Sequence, residues 1–269
     1  MEKYQKTADL LTAIDVEFLI ENDGTFLPAG LFLPFQGLIG TDNQGHGAGM
    51  RHTAEIRTRP LGNVKQVVSD IGRAITTFAD LVRPHAPEMI FLAGHSHHQQ
   101  CIGGHVHFSS AAFADWRKTE GAIKMLHTLS TLFSYHFDDP TQIEKRVGRG
   151  YFTSNWEDAV RTKQAMFDIP NYHWEFRQWG SFLVSPVYAY AVIALSKAVI
   201  LGVLEEAKTP TLWKAIKKGE WNTPAIIEGV LTLGLPHDDL RDLPAALEVL
   251  ESTRQEMRAR WTADFLELW

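Results

Sequence analysis

The sequence predicts an α+β fold with a helical C-terminal region, and three observations predict it. First, four short stretches alternate apolar and ionisable residues with a period of two: Ile14-Asp15-Val16-Glu17-Phe18, Ala54-Glu55-Ile56-Arg57-Thr58-Arg59, His105-Val106-His107-Phe108-Ser109 and His173-Trp174-Glu175-Phe176-Arg177. In a strand, successive side chains point to opposite faces, so each stretch separates an apolar face from an ionisable one. Second, two long stretches of helical periodicity lie between them. Third, nearly everything after Pro186 reads as helix. Strands and helices mixed in this order suit α+β, not a doubly wound parallel sheet.

Along the chain, Asn22-Asp23-Gly24 is a hairpin turn signal after the first strand, and Pro28, Gly30 and Pro34 punctuate the segment beyond it. The run Gly40–Gly49, with His46, is too glycine-rich for helix or central strand and reads as a loop. Val64, Val67, Val68, Ile71, Ile75, Phe78 and Leu81 mark a helix over about 63–82, ended by Pro84 and Pro87. A short strand at Met89–Ala93 precedes a histidine-rich segment. Phe113–Phe137 is again helical, with Ile123, Leu126, Leu129, Leu132 and Phe133 on one face. Helices are expected near 187–206, 210–218, 223–232 and 239–265, separated by Pro210, Pro224 and Pro236. The whole reads as a single domain, 1–269, with a sheet-forming core at about 10–185 and a helical layer at about 186–269.

Composition narrows the function classes. The net charge is −6, from 26 basic and 32 acidic residues, with no basic block to track a nucleic acid. Cys101 is the single cysteine, so neither a disulfide framework nor a thiolate metal site is expected. The N-terminus lacks signal-peptide form, and the apolar run Val187–Leu204 is interrupted by Tyr188, Tyr190, Ser196, Lys197 and Gly202. A cytoplasmic protein without nucleic-acid or membrane partners is expected.

The ionisable faces of the four strands contain no lysine, unlike an ordinary solvated face. Asp15 and Glu17 project from one face and repel each other unless a cation lies near them, a natural arrangement for hard metals such as Mg²⁺. Glu55 adds a carboxylate from another strand, and Arg57 and Arg59 suit phosphate or a substrate carboxylate. On this crowding argument, neutralising Glu17 or Glu175 should leave the metal-free protein equally stable or more stable. Residues 94–107 hold five of the twelve histidines; His105 is the best metal candidate, His107 a phosphate partner, and His95, His97 and His98 loop histidines.

The order Asp15-x-Glu17, Glu55-Ile56-Arg57-Thr58-Arg59, Gly103-Gly104-His105-Val106-His107-Phe108-Ser109 and Glu175-Phe176-Arg177 resembles the carboxylate–amine ligases of the glutamine synthetase and glutamate–cysteine ligase superfamily. It is most similar to the compact bacterial and phage COOH–NH2 ligases over about residues 14–182. The resemblance implies a glutamine synthetase-like catalytic domain, with a mainly antiparallel curved sheet backed by helices. It implies ATP and Mg²⁺ or Mn²⁺ as cofactors, and amide formation between a carboxylate and an amine, small-molecule or peptide, through an acyl phosphate.

By the same resemblance Asp15, His105 and Glu175 hold one metal and Glu17 and Glu55 the other, while His107 and Ser109 face the nucleotide. Arg177 stabilises the transferring phosphoryl group. The basic segment Lys145–Phe152 resembles the loop that closes over ATP, with Arg149 the first phosphate contact and Arg146 the second. Two departures are visible: the first acid is Asp15 where the pattern has Glu, and Asn63 falls where a further carboxylate is expected. Few residues precede the first strand, so a ring oligomer is not implied, although a homo-oligomer stays open. Two rival functions are a metal-dependent hydrolase built on His95, His97, His105, His107 and Glu55, and a non-catalytic nucleotide-binding module.

Overall fold

A computed structural model describes residues 10–34, 37–41, 53–97, 100–114, 116–163, 172–204, 210–233 and 238–269. His98 and most of the glycine-rich loop, His46 included, lie outside these residues. Gly40 and Thr41 of that run belong to a strand instead.

Strand β1 (Leu11–Asn22) is the longest and most heavily paired. Near Asn22 it turns into β2 (Thr25–Leu27) through Asp23 and Gly24, whose φ angles of 49° and 73° are those that Asp and Gly tolerate in a tight hairpin. Strands β3 (Ile39–Thr41) and β4 (Ala54–Arg57) come next, then β5 (Ile90–Leu92) and a small separate ribbon of β6 (Ser96–His97) and β7 (Gln100–Cys101). Strand β8 (Gly104–Ser110), β9 (Val160–Lys163) and β10 (Tyr172–Phe176) are the remaining strands among the described residues. The main sheet runs β3-β4-β1-β8-β10-β9, with β2 and β5 also paired to β1, and every pairing is antiparallel. The four alternating stretches are thus four neighbouring strands.

Register decides the faces. Asp15 is opposite His105 and Arg57, Glu17 opposite Glu55, and Glu175 opposite His107. The apolar alternates Ile14, Val16, Phe18, Ile56, Val106, Phe108 and Phe176 are almost fully buried on the other side. A one-residue slip would exchange the two sets, so burial of this face holds the chemistry in register.

Helix α1 (Val64–Val82) packs Val64, Val67, Ile71, Ile75 and Phe78 into the core, and Asn63 caps it by accepting from the Gln66 amide at 3.2 Å. The residue standing where a further carboxylate was expected therefore serves as a helix cap. Helix α2 (Trp116–Phe137) leads into α3 (Pro140–Val147), capped by Asp139 with Pro140 in its first turn. The predicted basic loop at Lys145–Phe152 is corrected here: Lys145, Arg146 and Val147 are the last turn of a helix. Asp139-Pro140 carries the start signal that extends helix this far.

Helix α4 (Pro186–Leu204) is the one described helix long and apolar enough to cross a membrane by length and composition, and 83% of its apolar window is buried in the fold. A helix apolar on all sides occupies a core. Its buried Lys197 donates to the Gly62 carbonyl, drawing the approach to α1 onto it. Beyond it lie α5 (Pro210–Lys217), α6 (Thr223–Leu231), α7 (Leu243–Ser252) and α8 (Arg254–Ala259). The helix expected over 239–265 is interrupted at Thr253, with φ −105° and ψ 9°. Ser252 and Thr253 both donate side-chain hydroxyls to the Val249 carbonyl, competing with helix continuation. One hydrophobic cluster joins sheet and C-terminal helices, from Leu10 to Phe265.

Candidate active site

The ionisable face of β4, β1, β8 and β10 forms a buried acidic and basic floor. Asp15, Glu17, Glu55, Arg57, His105, His107 and Glu175 arrive by strand alternation, and Arg177 directly follows β10. Asp15 is its centre: Oδ1 lies 2.6 Å from His105 Nδ1, and Oδ2 lies 2.9 Å from His107 Nε2. His105 Nδ1 is also 3.4 Å from Glu175 Oε1, and Arg177 Nε is 3.2 Å from the same oxygen. Glu55 pairs with Arg57, which also donates to the Thr41 carbonyl at 2.8 Å. Glu17 Oε2 accepts from the Gly103 amide at 2.7 Å, while its own amide donates to the Gly103 carbonyl at 2.9 Å.

This interleaving sets the electrostatics. Burial drives the Asp15 carboxyl upward, but the imidazoles of His105 and His107 outweigh it and hold it well below the usual carboxylate range. Burial drives His105 downward; the Asp15 carboxylate, helped by Glu17 and opposed by Arg177, outweighs it and raises His105. The condition under which the acids escape mutual repulsion is met by the protein's own groups: in this fold each is interleaved with a cation or an amide.

A divalent cation fits this donor set. Two overlapping groups, Asp15 with His107 and Glu175, and Asp15 with Glu55 and His105, each offer three ligand atoms within 4.8 Å of one another. Two carboxylates and one imidazole per group favour hard or borderline metals such as Mg²⁺ and Mn²⁺. Moreover, Asp15 Oδ1 and His105 Nδ1 are buried and close, yet neither has hydrogen-bond geometry. A cation bound by both atoms would satisfy them.

The structure brings the expected trio Asp15, His105 and Glu175 together around the His105 imidazole, and the groups of three within reach of one ion overlap it. His107 joins Glu175 in one candidate group and His105 joins Glu55 in the other, with Asp15 common to both; Glu17 belongs to neither and holds the Gly103 backbone. Ser109 is buried on β8, two residues beyond His107 and opposite His173. Arg149 is exposed in the turn after α3. Arg146, expected to contact phosphate, is corrected: it is 2% exposed, and its terminal nitrogens donate to the carbonyls of Arg177, Gln178 and Trp179.

The hydrolase constellation also fails to assemble. His95 is fully buried between Asp138 and Arg146, and His97 Nε2 faces the Ala93 carbonyl at 2.5 Å. Neither joins a candidate metal group among the described residues.

Sequence reasoning missed His173, whose Nε2 lies 2.9 Å from His107 Nδ1. It begins the alternation His173, Glu175, Arg177, which was signal enough to include it. Strand β9 was also missed, although Val160-Arg161-Thr162-Lys163 alternates with period two and places Arg161 opposite Glu175.

A family model described as phage phiEco32-like COOH.NH2 ligase-type 2 matches residues 12–219, extending past the four motifs into the C-terminal helices. No curated protein sequence matches. Among solved structures, the complex between Prokaryotic Ubiquitin-like Protein Pup and its ligase PafA aligns with a TM-score of 0.57 at 8% identity, covering 98% of this chain and 68% of that one. A bifunctional glutathione synthetase from Pasteurella multocida aligns at 0.52 and 10% identity, covering 98% of this chain and 52% of that one, so the present chain spans about half its length. At such identities the two likenesses show a shared fold, and the family match, over most of the chain, carries the assignment: this chain belongs to the COOH–NH2 ligases, enzymes that join a carboxylate to an amine through a carbon–nitrogen bond.

Proposed function

We propose that the enzyme activates its carboxylate substrate with ATP. A carboxylate oxygen attacks the γ-phosphorus, the bond to the β-bridging oxygen breaks, and ADP leaves. The amine nitrogen then attacks the acyl carbon of the resulting acyl phosphate; phosphate departs and the nitrogen loses a proton, giving the amide. The observation that carries this proposal is the four-strand floor, where three carboxylates and two imidazoles converge beside Arg177. Phosphoryl transfer is mainly a problem of positioning and charge stabilisation, and this floor supplies both.

In this proposal Asp15, Glu55, Glu175, His105 and His107 hold Mg²⁺ or Mn²⁺, which would neutralise phosphate charge and bridge the triphosphate to the floor. Glu17 fixes the strand entering His105 through the Gly103 amide. Ser109 and His173 border the nucleotide side, with His107 between them and the metals. Arg177 grips the transferring phosphoryl group, and Arg149 supplies a second cation from the exposed turn. Substrates are a small molecule or peptide bearing the carboxylate and another bearing the amine. A net charge of −6 and the burial of α4 support partners other than nucleic acid or membrane, in keeping with a cytoplasmic setting.

Calorimetry of ATP binding with Mg²⁺ and with EDTA tests the metal-bridged floor. Without metal the carboxylates repel the triphosphate, so affinity is expected to fall by about a hundredfold or more. Equal affinity in both conditions would remove the metal bridge from the proposal.

A further inference from the structure

Beyond the floor runs a buried polar chain that none of the proposed chemistry uses. Tyr188 on α4 donates its hydroxyl to Asp138 Oδ1, and Asp138 Oδ2 lies 2.6 Å from His95 Nε2. On the opposite edge of that imidazole, His95 Nδ1 lies 3.2 Å from Arg146 Nη1. A guanidinium can only donate, so Nδ1 must accept and the His95 proton resides on Nε2, where it donates to Asp138. The polarity of the chain is thereby fixed: Arg146 to neutral His95 to the Asp138 carboxylate, with Tyr188 donating from the far end. Burial, partly offset by Asp138, lowers His95 from its ordinary value and agrees with a neutral ring.

The near end of this chain meets the site. Arg146 Nη1 donates to the Trp179 carbonyl at 2.7 Å and to Gln178 at 3.1 Å, and Nη2 donates to Arg177 at 3.2 Å. Three successive carbonyls, just after the chain leaves β10, thus converge on one cation. Buried carbonyls outside a ladder require partners, and a planar fork with five donors can serve several of them where an ammonium cannot. The same guanidinium lies against Gly103: a Cβ there would sit 2.8 Å from Nη2. Gly103 is the residue that holds Glu17, and Gly104 donates to the Trp179 carbonyl at 3.1 Å. Gly180 closes the arrangement, since a Cβ there would lie 2.8 Å from the His95 ring.

We infer that Arg146, oriented by His95, Asp138 and Tyr188, is a positioning residue that locks the Arg177–Trp179 backbone to the Gly103–Gly104 backbone, and so aims Arg177 at the site. Its catalytic meaning rests on the ligase proposal, whereas its mechanical meaning does not. The experiment therefore reads two quantities on the 269-residue chain: ADP release kinetics and amide hydrogen exchange.

Arg146→Lys keeps the charge but cannot reach three carbonyls and His95 together. It is expected to lower kcat about tenfold or more, with KM for ATP within about threefold, and to speed exchange selectively at the amides of Gly103 and Gly104. Asp138→Asn, which disturbs the chain one imidazole away from Arg146, should give the same exchange pattern with a smaller loss of kcat, and it serves alone if Arg146→Lys does not fold. Unchanged exchange at these amides, or acceleration spread evenly over the fold, would overturn the assignment. If the wild-type chain releases no ADP with any substrate pair, the ligase proposal fails, and the exchange pattern alone still decides whether the lock exists.

Discussion

Glu175→Gln should lower kcat by roughly a thousandfold or more, the largest loss expected of any single-atom exchange in the floor. Glu175 is 2% exposed and adjoins His105, Arg177 and the Asp15–His107 ligand group, so metal side and phosphoryl side meet at one carboxylate. Glutamine preserves the shape, but half of its head group becomes a donor directed at groups that already donate. The stability of the metal-free protein should fall too, by about 1–3 kcal/mol, because the Arg177 guanidinium and the His105 imidazole lose a neighbouring carboxylate charge in a buried site. This reverses the prediction from acid crowding, which counted the carboxylates of the floor and not the cations folded between them. Thermal melts in EDTA beside ADP-release kinetics check both parts; a variant of unchanged kcat would remove Glu175 from the metal site.

Arg177→Lys should lower kcat by about a hundredfold while leaving ATP affinity within a few-fold. Phosphoryl transfer spreads negative charge over the equatorial oxygens, and a guanidinium can hold two of them at once. Glu175 faces Nε of Arg177, and the Arg177 amide donates to the Ala159 carbonyl at 2.8 Å, so both ends of the residue are fixed. Lysine would reach Glu175 or the phosphoryl group, and not both. Steady-state kinetics with Mg·ATP separate the outcomes: loss of ATP binding with kcat preserved would make Arg177 a ground-state anchor and move the transition-state role to Arg149.

The difference between what the sequence discloses and what it hides tracks the range of the interactions. Asp15, Glu55, His105, His107 and Glu175 were legible because strand alternation is local: two residues decide which face a side chain takes, and the apolar alternates Val16, Val106 and Phe176 announce the core side. Their shared sheet came from motif order and the family resemblance. Which of these side chains face one another was not legible, since it depends on pairing register: Glu175 is opposite His107, and Asp15 opposite His105. Arg146 was misread for a related reason. A basic residue before Gly148 and Gly150 looks like a loop cation, whereas its partners His95 and Gln178 lie 51 and 32 residues away along the chain. No local pattern encodes a fork donating to three distant carbonyls.

The same contrast explains α3 and Asn63. Asp139-Pro140 was a readable helix start, overlooked because the basic run and the glycines after it suggested a loop. Asn63 was read against a family position, whereas its own local signal, a preferred capping residue ahead of a periodic apolar stretch, names what it does.

Oxygen-18 transfer tests the claim of ATP-driven carboxylate activation most directly. Carboxylates labelled with oxygen-18, paired with amines across amino acids, polyamines and peptides, would be incubated with the enzyme and Mg·ATP, and the released phosphate analysed by mass spectrometry. An acyl-phosphate route requires ADP formation that depends on both substrates, with one labelled oxygen carried from carboxylate to phosphate in each turnover. Amide formation with unlabelled phosphate, with AMP and pyrophosphate, or without nucleotide would contradict it.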